Sequence, residues 1–485
     1  MLILKPVLYV EADPITEPPT RSHRMLILPE AEFPGALSNN LQTIGNMTGM
    51  KKPFRQTLFL ASILMLVAGC LQIGTATEPT GSLTLKEAIA IAFENQGSAQ
   101  SARLQAMAAR ERITQEQAGN LPSVIGSVYY NVAGRRVSRA AGGFTTSESN
   151  SGVQPEVALS YNIFDSGLTS ARVRQARSGA LAQKATLGAV QNDLALLVAS
   201  DYYSQLRAGK LVDLRSEQVR LAEEQLKGVE ARISVGDAAS ADSALPLSEL
   251  RNRQVDLIQA RNDLAIAANN LRNTLGLPVG NALELAENSE GLAAPEGDLE
   301  ELQSEALENR PEVLRARARV ESNRAGVSAA RVNQMPRLDT VLRLGVTPRE
   351  DDQRSYWELG AVVSLPLFDA GSSQARVNEA QFGAQASEVE LEQTLFDVSA
   401  DVKEAWTNLS SARERLAASE LAVDAARINL QQTTERYNLG ASGVTVISLI
   451  TAQVQFATAS SNAIQAEYDL KLAEIQLNRA TGRLQ

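Results

Sequence analysis

From Thr84 to about Glu116, Ala, Ile and Leu recur at helical intervals until Gly119-Asn120 stops them. Thr84 and Glu87 stand three apart, the spacing of a capping box, and mark the helix start. The period then falls to two. Val124, Gly126, Val128, Tyr130 and Val132 form one alternating row, and Val153, Pro155, Val157, Leu159, Tyr161 and Ile163 form another. Between them lies a Gly/Ser/Thr/Asn loop, so a hairpin is expected with strands at about 122–137 and 153–164. The pattern returns later, with strands expected at about 336–346 and 356–368. Leu338, Thr340, Leu342, Leu344 and Val346 face Trp357, Leu359, Ala361, Val363 and Leu365. Glu156, Asp339, Arg343 and Glu358 point the other way.

Each hairpin is followed by an unusually long helical pattern. One runs without proline from Gly167 to about Ser234, the other from Ser372 to about Asn438. At 1.5 Å per residue such a helix spans about 100 Å, so it either bends or stacks end to end from shorter pieces. Gly236 and Gly440 turn the chain, and return helices run to about Leu275 and Thr481. Pro246 is expected to kink or delay the first return helix, so that the two turns differ.

These two runs are copies. Phe164-Asp165-Ser-Gly167 reappears about 204 residues later as Phe368-Asp369-Ala-Gly371, and Arg232-Ile-Ser-Val-Gly236 as Arg436-Tyr-Asn-Leu-Gly440. Ala92-Phe-Glu94-Asn95 pairs with Ala306-Leu-Glu308-Asn309, and Leu121-Pro122 with Met335-Pro336, about 214 residues apart. The first copy therefore carries about ten extra residues near its hairpin, which reads as a surface loop. The repeats are assigned to 83–277 and 301–485, with a Pro/Gly/Glu-rich connector at 278–300.

Strands of about ten residues, apolar on one side and charged on the other, fit a transmembrane barrel. They fit a half-buried soluble sheet equally well. If they cross a membrane, four strands cannot close a barrel, because the smallest has eight and an open edge in lipid is forbidden. Several chains would then share one barrel. Tyr129, Tyr130, Tyr161, Tyr356 and Trp357 would suit its interfacial girdles.

Composition narrows the chemistry. Aromatic residues are only 4% of the chain, which favours thin, Ala-rich helix seams. The only histidine, His23, and the only cysteine, Cys70, both precede the first helix. No His-based site follows them, and no phosphate-binding glycine loop is visible, so no enzyme, cofactor or metal site is expected. Lys51, Lys52 and Arg55 followed by the apolar Thr57 to Val67 have the anatomy of a signal peptide over 50–69. Val67-Ala68-Gly69-Cys70 resembles the bacterial lipobox, which implies lipidation at Cys70. Residues 1–49 are expected to be a non-native upstream extension. Without residues 1–69, 40 basic residues stand against 51 acidic ones, a balance that argues against nucleic acid as a partner.

The order of these features, repeated twice, resembles the TolC-type outer membrane factor family, over about residues 83–485, and the lipobox resembles its lipoprotein members. The resemblance implies a mainly α protein with a transmembrane β-barrel. Three chains, four strands each, would form a twelve-stranded barrel continued by a long α-helical periplasmic tube. It implies a homotrimer in the outer membrane of a Gram-negative bacterium, acting as the passive exit duct of a tripartite efflux or type I secretion system. A periplasmic adaptor would join it to an inner-membrane pump. Arg232, Val235, Gly236, Asp237, Arg436, Tyr437, Leu439 and Gly440 would then sit at the adaptor-facing tip. The charged Glu156, Asp339, Arg343 and Glu358 would face the barrel lumen. Members of the family often place acidic residues after the tip turn, but here that stretch, Ser448 to Gln453, is uncharged. Asp242, Ser448 and Thr451 mark the expected entrance constriction. The competing reading is a lipid-anchored periplasmic coiled-coil scaffold or adhesin without a pore.

Overall fold

The computed structural model describes residues 81–484 apart from 132–135, 141–142, 148–151, 237, 288–294, 296, 350–351 and 440–442. Cys70, the signal segment, Asp237 and Gly440 therefore lie outside the described residues. Each half runs helix pair, hairpin, long helix, return helix. In the first half these are α1 (Leu85–Asn95), α2 (Gly97–Gln117), β1 (Ser123–Asn131), β2 (Arg136–Ala140), β3 (Gly143–Ser147), β4 (Gly152–Phe164), α3 (Leu168–Ser234) and α4 (Ala244–Thr274). In the second they are α5 (Leu299–Asn309), α6 (Pro311–Val332), β5 (Arg337–Arg349), β6 (Asp352–Ser364), α7 (Ser372–Asn438) and α8 (Val446–Thr481). Among the described residues no helix is long and apolar enough to cross a membrane.

The opening helix differs from expectation. Its start holds, with the Glu87 amide donating to Thr84 Oγ1 at 3.3 Å and the Thr84 amide to Glu87 Oε2 at 3.0 Å. It does not run to Glu116 unbroken, because Gln96 is extended and its side chain accepts the Gly97 amide at 3.0 Å to cap a new helix. Arg310 is extended at the matching break, forced there by Pro311 at the first position of α6. Each break receives the end of a return helix. A β-carbon on Gly276 (φ +70°) would lie 3.0 Å from Asn95 Cβ and 3.1 Å from its carbonyl, and one on Gly482 (φ +81°) would lie 3.2 Å from the Arg310 amide nitrogen. Glycine is required at both by conformation and by space.

The two long helices have 67 residues each and are continuous. The Phe-Asp-x-Gly motif explains how they begin. Ser166 and Ala370 take positive φ (55° and 53°), as do Gly167 and Gly371. This swings the preceding aspartate under the helix. Asp165 accepts amides from Gly167 at 2.9 Å and Thr169 at 2.6 Å, and Asp369 accepts those of Gly371 at 3.1 Å and Ser373 at 2.7 Å. One carboxylate thus satisfies two amides at a positive helix end.

The core lies midway along the long helices. In the first half, Leu85, Ala88 and Ala92 of α1 pack on Leu194, Val198 and Tyr202 of α3 and on Leu271 of α4. The connector is tied here. Leu83 bridges to Leu285, and the Tyr202 hydroxyl sits between the carbonyls of Leu83 (2.9 Å) and Ala286 (2.8 Å). Buried Arg272 holds the carbonyls of Pro278 at 2.7 Å and Asn281 at 3.1 Å. Burial pushes the Tyr203 and Tyr468 hydroxyls up to about 12, so this aromatic group stays neutral. In the second half, Leu302, Val313, Val398, Val402 and Leu477 form the cluster. Its brace is Arg310, whose side chain is 4% exposed and reaches Glu312 at 3.1 Å and Asp401 at 2.8 Å.

The strands form one antiparallel sheet in the order β1-β4-β5-β6, with β2 and β3 as a separate ribbon. That ribbon occupies the longer loop of the first copy, so β1 ends at Asn131 rather than near 137. The second hairpin is longer than expected at its tip, where β5 and β6 pair out to Arg349 opposite Asp352, and shorter at its base, where β6 stops at Ser364. The run from Leu365 to Phe368 belongs to the exit turn rather than to a strand, because Asp369 needs that segment free to fold beneath α7.

Candidate functional site

Register sorts the sheet into two faces. Val157, Leu344 and Trp357 stand opposite one another in one row, and Tyr161, Thr340 and Ala361 in another. This face is apolar and bare: Trp357 is 73% exposed, and Leu344, Leu359 and Val363 are exposed with it. On the opposite face, Glu156, Gly345 and Tyr356 share a row, and Ala158, Arg343 and Glu358 the next. Arg343 reaches Glu358 at 3.2 Å and Glu156 at 3.9 Å, and Arg337 lies 3.7 Å from Asp339. The four charged residues expected to share a face do share it; Arg343 ties Glu156 and Glu358 together across the strands, while Asp339 pairs with Arg337 along its own strand. A large apolar face without cover is not what a soluble sheet presents.

The aromatic set needs correction. Tyr130, Tyr161 and Trp357 lie on the apolar face, but Tyr129 and Tyr356 lie on the charged one. Side chains alternate, so a residue next to Trp357 or Tyr130 must point the other way. The sequence held that signal, since Tyr356 is two residues from Glu358. Tyr356 instead donates its hydroxyl to Glu156 Oε2 at 2.7 Å. Gly345, over which its ring passes, was also missed; a glycine flanked in register by an aromatic and a carboxylate was the available sign.

At their far ends the last turns of α3 and α7 come together. The Arg232 guanidinium carbon lies 4.8 Å from the centre of the Tyr437 ring, a cation–π contact between the halves. Beside it is a cleft of about 350 Å³ lined by Gln225, Gly228, Arg232, Tyr437, Leu449 and Gln453. Val235, Gly236, Arg436 and Leu439 are exposed around it, and Gly236 takes φ +81°. The first turn passes through a short 3-10 segment, Ser240–Ser243, and places Pro246 third in α4, where a missing amide costs no helical bond. The second enters α8 directly from Thr445. Among the described residues, the 3-10 segment before α4 has no counterpart before α8.

The polar atoms of the three entrance candidates are engaged in local structure. Asp242 accepts the Ala239 amide at 2.9 Å, Ser448 accepts the Thr445 amide at 3.3 Å, and Thr451 donates to the Ile447 carbonyl at 2.8 Å. The carboxylates at the helix exits are the residues that reading by motif left without a role. Partial burial raises Asp165, but the Thr169 and Gly167 hydrogen bonds outweigh it and hold the group below its usual value. Hydrogen bonds from Ser373 lower Asp369 in the same way.

The family model described as outer membrane efflux protein matches residues 88–277 and 302–483. The chain is 25% identical over 443 residues to the outer membrane efflux protein BepC of Brucella suis, covering 89% of this chain and 92% of that one. To the cation efflux system protein CusC of Escherichia coli it is 23% identical, over 82% of this chain and 85% of the other. Among solved structures, the open state of the Neisseria gonorrhoeae MtrE outer membrane channel superposes with a TM-score of 0.68 at 22% identity, over 82% of this chain and 88% of that one. That likeness is one of fold, over the share of the chain it covers.

Proposed function

This chain belongs to the outer membrane efflux protein family, and from that premise we propose that three copies join edge to edge into one twelve-stranded barrel. The observation that carries the reading is the four-stranded sheet. It has one apolar face, one charged face, and two edge strands, β1 and β6, with one neighbour each among the described residues. Lipid tolerates no unpaired edge, so each edge must meet the opposite edge of another copy. The apolar face then meets lipid, with Tyr130, Tyr161 and Trp357 near the interfaces, and Glu156, Asp339, Arg343 and Glu358 line the lumen. The 67-residue helices carry the conduit into the periplasm.

In this assembly the protein is the exit duct of a tripartite export system, moving small molecules without chemistry of its own. Cys70 carries the lipid anchor. The tip around Arg232, Val235, Gly236, Asp237, Arg436, Tyr437, Leu439 and Gly440 meets a periplasmic adaptor linked to an inner-membrane pump. Asp242, Ser448 and Thr451 stand where the entrance narrows. A passive duct leaves cargo choice to the pump. The test is to purify the protein in detergent, measure its mass, and add it to a planar bilayer. A trimer giving stepwise conductance is expected; a monomer soluble without detergent that gives no conductance overturns the reading.

A further inference from the structure

We infer that Gly345 is a positioning residue for transport: it gives Tyr356 a recess in the channel wall and so keeps three aromatic rings out of the path of cargo. The inference rests on the reading that the charged face lines the lumen. Tyr356 on β6, Gly345 on β5 and Glu156 on β4 occupy consecutive places in one row across the sheet. The tyrosine spans the middle strand to reach Glu156, donating to Oε2 at 2.7 Å. It can do so only by lying against the backbone of Gly345. A β-carbon there would be 2.6 Å from Tyr356 Cε1 and 2.7 Å from both Cζ and the hydroxyl oxygen. Carbon atoms do not approach so closely, and the sheet beneath cannot yield, since β5 is hydrogen-bonded on both sides. Any side chain at position 345 therefore lifts the ring toward the open side, which is the lumen. Glu156, with its side chain 17% exposed, is the anchor, and Arg343 at 3.9 Å helps to keep it in place. Threefold repetition would place three lifted rings at one level of the barrel. Pore-lining side chains set the local radius, so conduction falls.

The experiment records single channels from wild type, Gly345→Ala, Gly345→Ala/Tyr356→Ala and Tyr356→Phe in planar bilayers. Gly345→Ala loses unitary conductance, and the double variant regains at least the wild-type level because the displaced ring is gone. Tyr356→Phe keeps the ring but removes its tether, so its open-channel current becomes noisier. That variant leaves the backbone row untouched and tests the tether even if Gly345→Ala does not insert. Wild-type conductance from Gly345→Ala, or a double variant as poor as the single, overturns the inference, as does a Tyr356→Phe trace as quiet as wild type. Absence of channels from the wild type would instead sink the lumen reading itself.

Discussion

Where the first half's return helix ends, Gly276 closes on Asn95; where the second's ends, Gly482 closes on Asn309 and Arg310. The backbone geometry of the two joints matches, and so do the aspartate-capped exits at Asp165 and Asp369. The side chains bracing the joints do not match. The first half holds its connector with neutral donors on carbonyls, through Tyr202, and with the buried Arg272. The second half uses Arg310 in an ion pair with Glu312 and Asp401, and Arg483 on Glu305 at 2.6 Å and 2.7 Å. Duplication has kept what the backbone path requires and let the bracing chemistry diverge.

Substitution at the joints tests the shared part first. Gly276→Ala combines a positive φ with a backbone clash and is expected to cost about 2–4 kcal/mol. Gly371→Ala, at φ +86° with open space around it, has only the conformational term, about 1–2 kcal/mol. Thermal denaturation in detergent should rank them so; equal losses would mean that the contact with Asn95 contributes nothing.

The divergent part comes next. Arg310→Met removes the main partner of Glu312 and should cost about 3 kcal/mol, the low end for a broken buried pair because Arg479 still acts on Glu312 and Asp401 stays half exposed. Tyr202→Phe removes one hydroxyl from two carbonyls and should cost about 1–2 kcal/mol, measured in the same way. If Tyr202→Phe proves the more damaging, the first joint relies on its connector more than the structure indicates.

Smallest is the shared cap. Asp165 is lowered in the folded chain, so its contribution is present above its unfolded pKa and is lost as pH falls through the folded one. Asp165→Asn should thus be less stable than wild type at neutral pH, with the gap closing in acid. A gap independent of pH would remove the charge from the explanation.

Much of this was legible in the residues. The 67-residue helices, the turn at Gly236 and the alternating strands follow from period and punctuation alone. The break at Gln96 was not, because no proline marks it as Pro311 marks its partner; tertiary packing of Gly276 makes it. The second hairpin's length was masked by charged residues near its tip, where alternation fades but pairing continues to Arg349. The girdle error had a different source. Tyr129 and Tyr356 were grouped by residue type, whereas their positions in the alternation already placed them on the charged face.

The central claim is that the charged face lines a water-filled conduit and the apolar face meets lipid. Glu358→Cys and Leu359→Cys, neighbours on β6 that point in opposite directions, test it most directly. A charged, membrane-impermeant thiol reagent is applied to each variant in a planar bilayer while current is recorded. The account predicts that the reagent alters conductance through Glu358→Cys and leaves Leu359→Cys unchanged. Modification of Leu359→Cys at an equal rate, or no effect at Glu358→Cys, would contradict it.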